Sequence, residues 1–471
     1  MDSQPLKIAV VGHTNTGKTS LMRTLLRNPD FGEVADRPGT TRHVEAAALL
    51  VDGTPLLELY DTPGLEDPIT LLDYLEQLQE AGERIDGVTR VERFLQTREA
   101  ARRFEQEAKV LRQMLHSDAA FYVVDARSPV LGKHRDELTI LAWCARPLLP
   151  VLNFVAQPDT RVPEWREALA RLGLHAAVEF DTVAPALDGE ETLYRKLATL
   201  VDARAAGIDR LLENLRRQRL LRRAAATRLG AEMLLDAAAM RLTTPSDAAS
   251  VEAHLARLRE AVQRRENRMV SAVLALYGFR DRDVARTDLP AWPQRLEMDL
   301  FHPNAARDMG IQVGMGAAAG AAAGALVDLA VGGLSLGAGA LIGAAVGGVW
   351  QGYERLDLGN RLVARVRGWR ELTVDDSILR LLALRFLLLA ETLERRGHAA
   401  LTPIELPRGE TPDLRRDPLP AELLQARSEP DWNPLSKRFE ESERRTRAID
   451  GLARQLEQII EKDLGTGADL R

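Results

Sequence analysis

The chain has 471 residues, 45% of them hydrophobic, which is length enough for two or three domains. Lys and Arg number 63 against 69 Asp and Glu, and the net charge of −6 speaks against nucleic acid as the main partner, because duplex binders carry a basic surplus. The single Cys144 excludes an intramolecular disulfide and multi-cysteine zinc sites, while a mean hydropathy of −0.20 excludes a polytopic transporter but not one membrane hairpin. Residues 6–11 are too short an apolar run for a signal peptide, so a cytoplasmic location is expected.

Residues 1–205 alternate short apolar runs with helical patterns, which predicts a mostly parallel sheet with flanking helices. Strands are expected at Leu6–Val11, Ala46–Leu50, Leu56–Tyr60, Ala119–Asp125, Leu148–Phe154 and Ala177–Phe180. Between Asp61 and Phe121 the chain is too long for one crossover helix. A helical insertion over about 66–117 is expected, with one stripe at Ile69, Leu72, Leu75 and Leu78 and a second at Val91, Leu95, Phe104, Leu111 and Leu115. Residues 206–400 are read as a helical domain, opening on an Arg-rich stretch from Arg210 to Arg228. A Gly/Ala-rich hairpin spans 309–350, a proline-rich extended linker 401–435, and a charged helix 436–471 with Ile449, Leu452, Leu456, Ile459 and Leu464 at near-heptad spacing. That helix suits pairing with another helix, as in a homo-oligomer, or docking on its own domain.

Gly12-His13-Thr14-Asn15-Thr16-Gly17-Lys18-Thr19 fits the phosphate-loop pattern G-x-x-x-x-G-K-[ST], placed between an expected strand and an expected helix. Its glycines let backbone N–H groups turn toward a phosphate, and the helix N-terminus adds partial positive charge. Gly12, Asn15, Thr16, Gly17, Lys18, Thr19 and Ser20 are therefore the nucleotide-binding set, with Lys18 reaching the β/γ-phosphates and Thr19 holding Mg²⁺. Asp61-Thr62-Pro63-Gly64 follows an apolar strand, so that Asp61 can serve the Mg²⁺ shell and the Gly64 N–H a γ-phosphate.

Together with Arg37-Pro38-Gly39-Thr40-Thr41-Arg42 between them, these motifs resemble the Era/TrmE group of P-loop GTPases. The resemblance covers residues 6 to about 205 and implies an α/β P-loop GTPase domain that binds GTP and GDP, ahead of an all-α C-terminal half. It implies that Thr41 closes over Mg²⁺ and the γ-phosphate, so that Lys18, Thr41 and Gly64 carry catalysis. Asn15 stands where potassium-activated members of the group carry a K⁺ ligand; simple loop capping is the other reading. Leu65 replaces the glutamine that orients water in Ras-type enzymes, leaving a cation, Glu66, Asp67 or a partner for that task. The base motif N-K-x-D becomes Asn153-Phe154-Val155-Ala156: Asn153 stands in place, the lysine and aspartate do not, and Asp159 is a candidate substitute. The later loop of the family falls nearest Phe180-Asp181-Thr182.

Gly316, Gly320 and Gly324, then Gly339, Gly343 and Gly347, repeat every four residues, lining one helical face where backbones can approach closely. Segment 309–350 is read either as a lipid-inserting hairpin at the inner face of the membrane or as a buried hairpin or subunit contact. Three functions are carried forward: a slow, Mg²⁺-dependent GTPase switch; an NTP-binding scaffold or ATPase with relaxed base specificity; and an Era-like ribosome- or RNA-linked factor.

Overall fold

A computed structural model describes residues 4–28, 31, 44–79, 83–157, 159–279, 369–398 and 419–466, and the chain divides into two compact units. The Gly/Ala-rich hairpin expected at 309–350 and Thr41 lie outside the described residues.

The first unit is a six-stranded sheet flanked by helices. In chain order its elements are β1 (Leu6–Val11), α1 (Lys18–Leu26), β2 (Glu45–Val51), β3 (Thr54–Asp61), α2 (Pro68–Gln77), α3 (Gly87–Leu95) and α4 (Glu105–His116). Then come β4 (Ala119–Asp125), α5 (Gly132–Ala142), β5 (Leu148–Asn153), α6 (Val162–Arg171), β6 (Val178–Glu179) and α7 (Gly189–Leu200). The strand order is β2-β3-β1-β4-β5-β6, with every pairing parallel except β2 with β3. Burial follows the two-residue period of a strand covered on both faces. In β4, Ala119, Phe121 and Val123 join one core, while Ala120, Tyr122 and Val124 join the other. The parallel strands bring the ends of β1, β3, β4 and β5 to one edge, where an α/β fold binds ligands.

The long connection holds three helices rather than the expected two. A short 3₁₀ turn at Glu99–Ala101 interrupts the second stripe. Thr97 Oγ1 donates to the Phe94 carbonyl at 2.7 Å and accepts from Ala100 N at 3.3 Å, closing a local turn that competes with helix continuation. The buried face of α2 is Leu71 and Leu75, whereas Ile69 is 52% exposed. The expected stripe holds at Leu75, with Leu72 and Leu78 half-buried against the same core, and departs at Ile69: Asp67 caps the helix on Thr70 N and Pro68 begins it, which leaves Ile69 on the outer side of the first turn.

The second unit is helical: the C-terminal part of α8 (Ala205–Ala239), α9 (Ala248–Leu276), α10 (Asp376–Glu394), α11 (Ala421–Ser428) and α12 (Glu443–Thr466). It also holds an antiparallel ribbon, β7 (Arg241–Pro245) with β8 (Trp369–Thr373), which helical periodicity did not reveal. Within the segment read as an extended linker, Ala421–Ser428 is helix, burying Leu423 and Ala426. Ile449, Leu452 and Leu456 of α12 are buried within the unit, and Arg445 reaches Asp236 of α8 at 2.6 Å. Of the Arg-rich stretch, Arg216, Arg217, Arg219, Arg223 and Arg228 each pair with a carboxylate. These pairs match a helix face interleaved with acids.

Between α9 and α10, the buried Glu266 meets Arg385 at 3.0 Å. Burial pushes the Glu266 carboxyl up from 4.5 to about 7, with Arg385 pulling the other way. The folded chain thus holds this proton more tightly than the unfolded chain between those values, and stability falls as pH rises through the window. Urea unfolding of the full chain from pH 4.5 to 7.5 is expected to show this slope, flattened in Glu266→Gln.

Candidate functional site

The end of β1 runs into Gly12, and α1 begins at Lys18, so residues 12–17 form a loop across the sheet edge. Asn15 and Gly17 both hold positive φ, at 64° and 92°. A Cβ at Gly17 would stand 2.3 Å from Asn153 Nδ2, so both the backbone angle and the close approach of Asn153 require glycine there. Thr16 Oγ1 donates to the His13 carbonyl at 3.0 Å, closing the loop on itself. Lys18 is buried and its Nζ donates to the carbonyls of Gly12 and His13 at 3.0 and 2.8 Å. Burial holds its pKa down, opposed by the charges of Asp61 and Glu137. Ser20 follows, half-buried in the first turn of α1.

Asp61, at the end of β3, accepts a hydrogen bond from Thr19 Oγ1 at 2.6 Å. Burial pushes its carboxyl up to about 6, while the Thr19 hydroxyl and the Lys18 charge oppose that. Asp61 Oδ1 is buried and makes no hydrogen bond. A hard oxygen set with an unsatisfied carboxylate oxygen suits a divalent cation such as Mg²⁺. Thr62 Oγ1 donates to the Val10 carbonyl at 2.8 Å, tying this strand end to β1. Gly64 lies so close to the loop that a Cβ there would be 2.7 Å from Thr14 N. Leu65 is fully buried, so its side chain faces the core and not a reacting water. Of the two following carboxylates, Asp67 is used as the cap of α2, and Glu66 is exposed.

Asn153, fully buried at the end of β5, makes three hydrogen bonds. Its Nδ2 donates to the Thr16 carbonyl at 3.0 Å, and its Oδ1 accepts from Phe154 N at 2.8 Å and Thr182 N at 3.0 Å. The loop after β6 is held in turn by Asp181, whose Oδ1 accepts from Val183 N and Ala184 N at 2.8 and 3.0 Å. Asp181 Oδ2 accepts from Ala156 N at 2.9 Å. Phe154 holds a positive φ of 60°, and the Arg127 guanidinium lies 4.0 Å over its ring. Asp159, the candidate substitute from sequence, is exposed, and the carboxylate that reaches residue 156 is Asp181.

Beside the loop lies a cavity of about 620 Å³, lined among others by His13, Asn15, Glu66, Lys133, His134 and Trp165. The Lys133 ammonium, a donor only, meets His13 Nε2 at 2.7 Å, so that nitrogen accepts. Burial, with Lys133 and Lys18 adding to it, lowers the His13 pKa to about 4; burial does the same to His134, helped by His13 and Lys133. Both imidazoles are neutral near pH 7. Deeper in, Glu137 accepts from Tyr122 Oη at 2.9 Å, and burial pushes its carboxyl up to about 7. Sequence reasoning missed Glu137 and Lys133, because helical spacing marks them only as polar positions on α5. It passed through Asp181 without giving it a role.

The phosphate loop, the buried Lys18, the Thr19–Asp61 pair and the Asn153 clamp define the first unit as a P-loop nucleotide-binding domain, and its sequence matches make it an Era/TrmE-like GTPase domain. A family profile described as "50S ribosome-binding GTPase" matches residues 7–154. A second, described as "Domain of unknown function (DUF3482)", matches residues 166–454, more than half of the chain, and the chain belongs to that family. Among curated proteins it is similar to the tRNA modification GTPase MnmE of Synechococcus sp., 31% identical over 180 residues, covering 36% of this chain and 34% of that protein. MnmE of Synechocystis sp. is 36% identical over 85 residues, 18% of each chain. The chain thus spans about a third or less of these relatives. Among solved structures, Era of Aquifex aeolicus bound to GDP.AlF4- matches 37% of this chain and 50% of its own, at 16% identity and a TM-score of 0.27. An S. thermophilus NFeoB bound to GMPPNP matches 41% and 62%, at 21% identity and a TM-score of 0.26.

The Asn153 clamp carries a direct test. Asn153→Ala strands the Thr16 carbonyl and the Phe154 and Thr182 amides, and is expected to destabilise the first unit by about 3 kcal/mol. Urea unfolding followed by tryptophan fluorescence, to which Trp143 and Trp165 of the first unit contribute, checks this. It should also weaken nucleotide binding at least tenfold by releasing the loop.

Proposed function

We propose that the chain binds GTP and hydrolyses it slowly to GDP and phosphate, using the two states as a switch. The observation that carries the reading is the Thr19–Asp61 hydrogen bond beside an unsatisfied Asp61 oxygen, set next to a phosphate loop closed on Lys18. Thr19, Asp61 and, by the family resemblance, Thr41 would hold Mg²⁺. The metal supplies charge neutralisation on the β and γ oxygens when it is bound. Lys18 puts its buried ammonium against the transferred phosphoryl, where low dielectric strengthens the attraction. The backbone N–H groups of residues 15–19 and of Gly64 orient the phosphates. With Leu65 buried, no side chain at that position places the attacking water, which supports the expectation of slow turnover in the absence of a partner. Asn15, exposed at the crest of the loop with positive φ, is the candidate K⁺ ligand. Loss of the γ-phosphate would release Thr41 and Gly64, and α2, which follows Gly64 directly, would carry the change outward.

Phosphate release from GTP with Mg²⁺ is expected to be slow, faster in KCl than in NaCl, and reduced at least a hundredfold in Lys18→Ala. Failure to bind any guanine nucleotide would overturn the reading. The four-residue glycine spacing of 309–350 supports a further step, in which nucleotide state governs insertion of that hairpin into lipid. Among the described residues no helix is long and apolar enough to cross a membrane. Co-sedimentation with anionic liposomes in GTP but not GDP is the expected result, and no partitioning in either state would discard the step. The net charge of −6 weighs against the ribosome- or RNA-linked alternative.

A further inference from the structure

We propose that Asp181 reads the guanine base, replacing from the β6 loop the carboxylate that the base motif would place at residue 156. The inference rests on the GTP reading of the site and names how that site selects its base. Guanine offers two neighbouring donors, N1–H and the 2-amino group, whereas adenine offers an acceptor at N1. A buried carboxylate beside the base therefore separates the two. At residue 156 the chain has alanine, which offers no acceptor.

Two hydrogen bonds bring a carboxylate beside residue 156. Asn153 Oδ1 accepts from Thr182 N at 3.0 Å, pinning the β6 loop against the end of β5. Asp181, one residue earlier, then sets Oδ2 2.9 Å from Ala156 N. Asp181 is 5% exposed, and it accepts hydrogen bonds from the backbone amides of Ala156, Val183 and Ala184. Three donors fill three of the four lone-pair sites of a carboxylate and leave one on Oδ2, the oxygen at residue 156. Ala156 itself is exposed, so the chain at the end of β5 meets solvent beside the Asp181 carboxylate. Phe154, half-buried two residues before Ala156, has Arg127 stacked on its ring and its ring edge near Gly17 of the phosphate loop, and so adds a flat apolar surface there. Such a surface suits a purine face.

The test measures the affinities of GDP, ADP, inosine diphosphate and xanthosine diphosphate, with Mg²⁺, for the full chain and its variants. Inosine lacks the 2-amino group, and xanthosine carries a carbonyl in its place. The wild type is expected to prefer GDP to xanthosine diphosphate at least a hundredfold and to inosine diphosphate about tenfold. Asp181→Asn keeps an acceptor for Val183 and Ala184 but turns a donor toward the base. It should cut the preference for GDP over xanthosine diphosphate at least tenfold. If that variant does not fold, Ala156→Asp combined with Asp181→Ser decides, because it returns the carboxylate to the motif position. Guanine preference in that double variant supports the assignment, and nucleotide binding without preference overturns it. Equal losses for GDP and xanthosine diphosphate in Asp181→Asn, or no change in either, overturn the assignment while leaving the GTP reading intact. A wild type that binds no GDP overturns the GTP reading and this assignment with it.

Discussion

The side chain of Asn153 is the constraint on which the site depends. A fully buried amide satisfies a carbonyl of the phosphate loop and two amides from separate segments. Polar groups buried this way are costly unless every partner is in place, so the arrangement is all-or-nothing. Because Nδ2 comes so close to Gly17, the loop cannot carry any other residue there. One residue thus sets the loop's path, the start of the base motif and the position of the β6 loop. That explains how the motif can lose its lysine and aspartate while its frame persists.

The sheet supplies what the clamp needs. Five parallel-paired strands bring their C-terminal ends to one edge, with both faces covered by helices. The polar side chains at that edge are buried against a rigid frame: Lys18, Asp61, Asn153 and Asp181 are each under a tenth exposed. Desolvation depresses the pKa of the lysine and raises that of Asp61. Charges held this way interact strongly with a phosphate that enters, since neither partner is screened by water.

Much of this was legible in the sequence because it is local. The phosphate loop, the Asp61–Gly64 motif and Asn153 are contiguous patterns whose spacing follows from strand-to-loop geometry, and β1 and β4 were bounded correctly by their apolar runs. In α2 only Ile69 departs from the expected stripe, because Asp67 and Pro68, not hydrophobicity, begin the helix. The β7–β8 ribbon joins segments more than a hundred residues apart, and periodicity within either strand does not show its partner. Asp181 and Glu137 were missed as site residues for the same reason: their meaning lies in what approaches them from other strands and helices.

The account stands on guanine being read despite the altered base motif. Competitive titration of GDP against ADP on the purified full chain with Mg²⁺ tests this most directly. At least a tenfold preference for GDP is predicted, a free-energy gap of about 1.4 kcal/mol or more. Equal affinities, or a preference for ADP, would contradict it and make the chain a general NTP-binding protein.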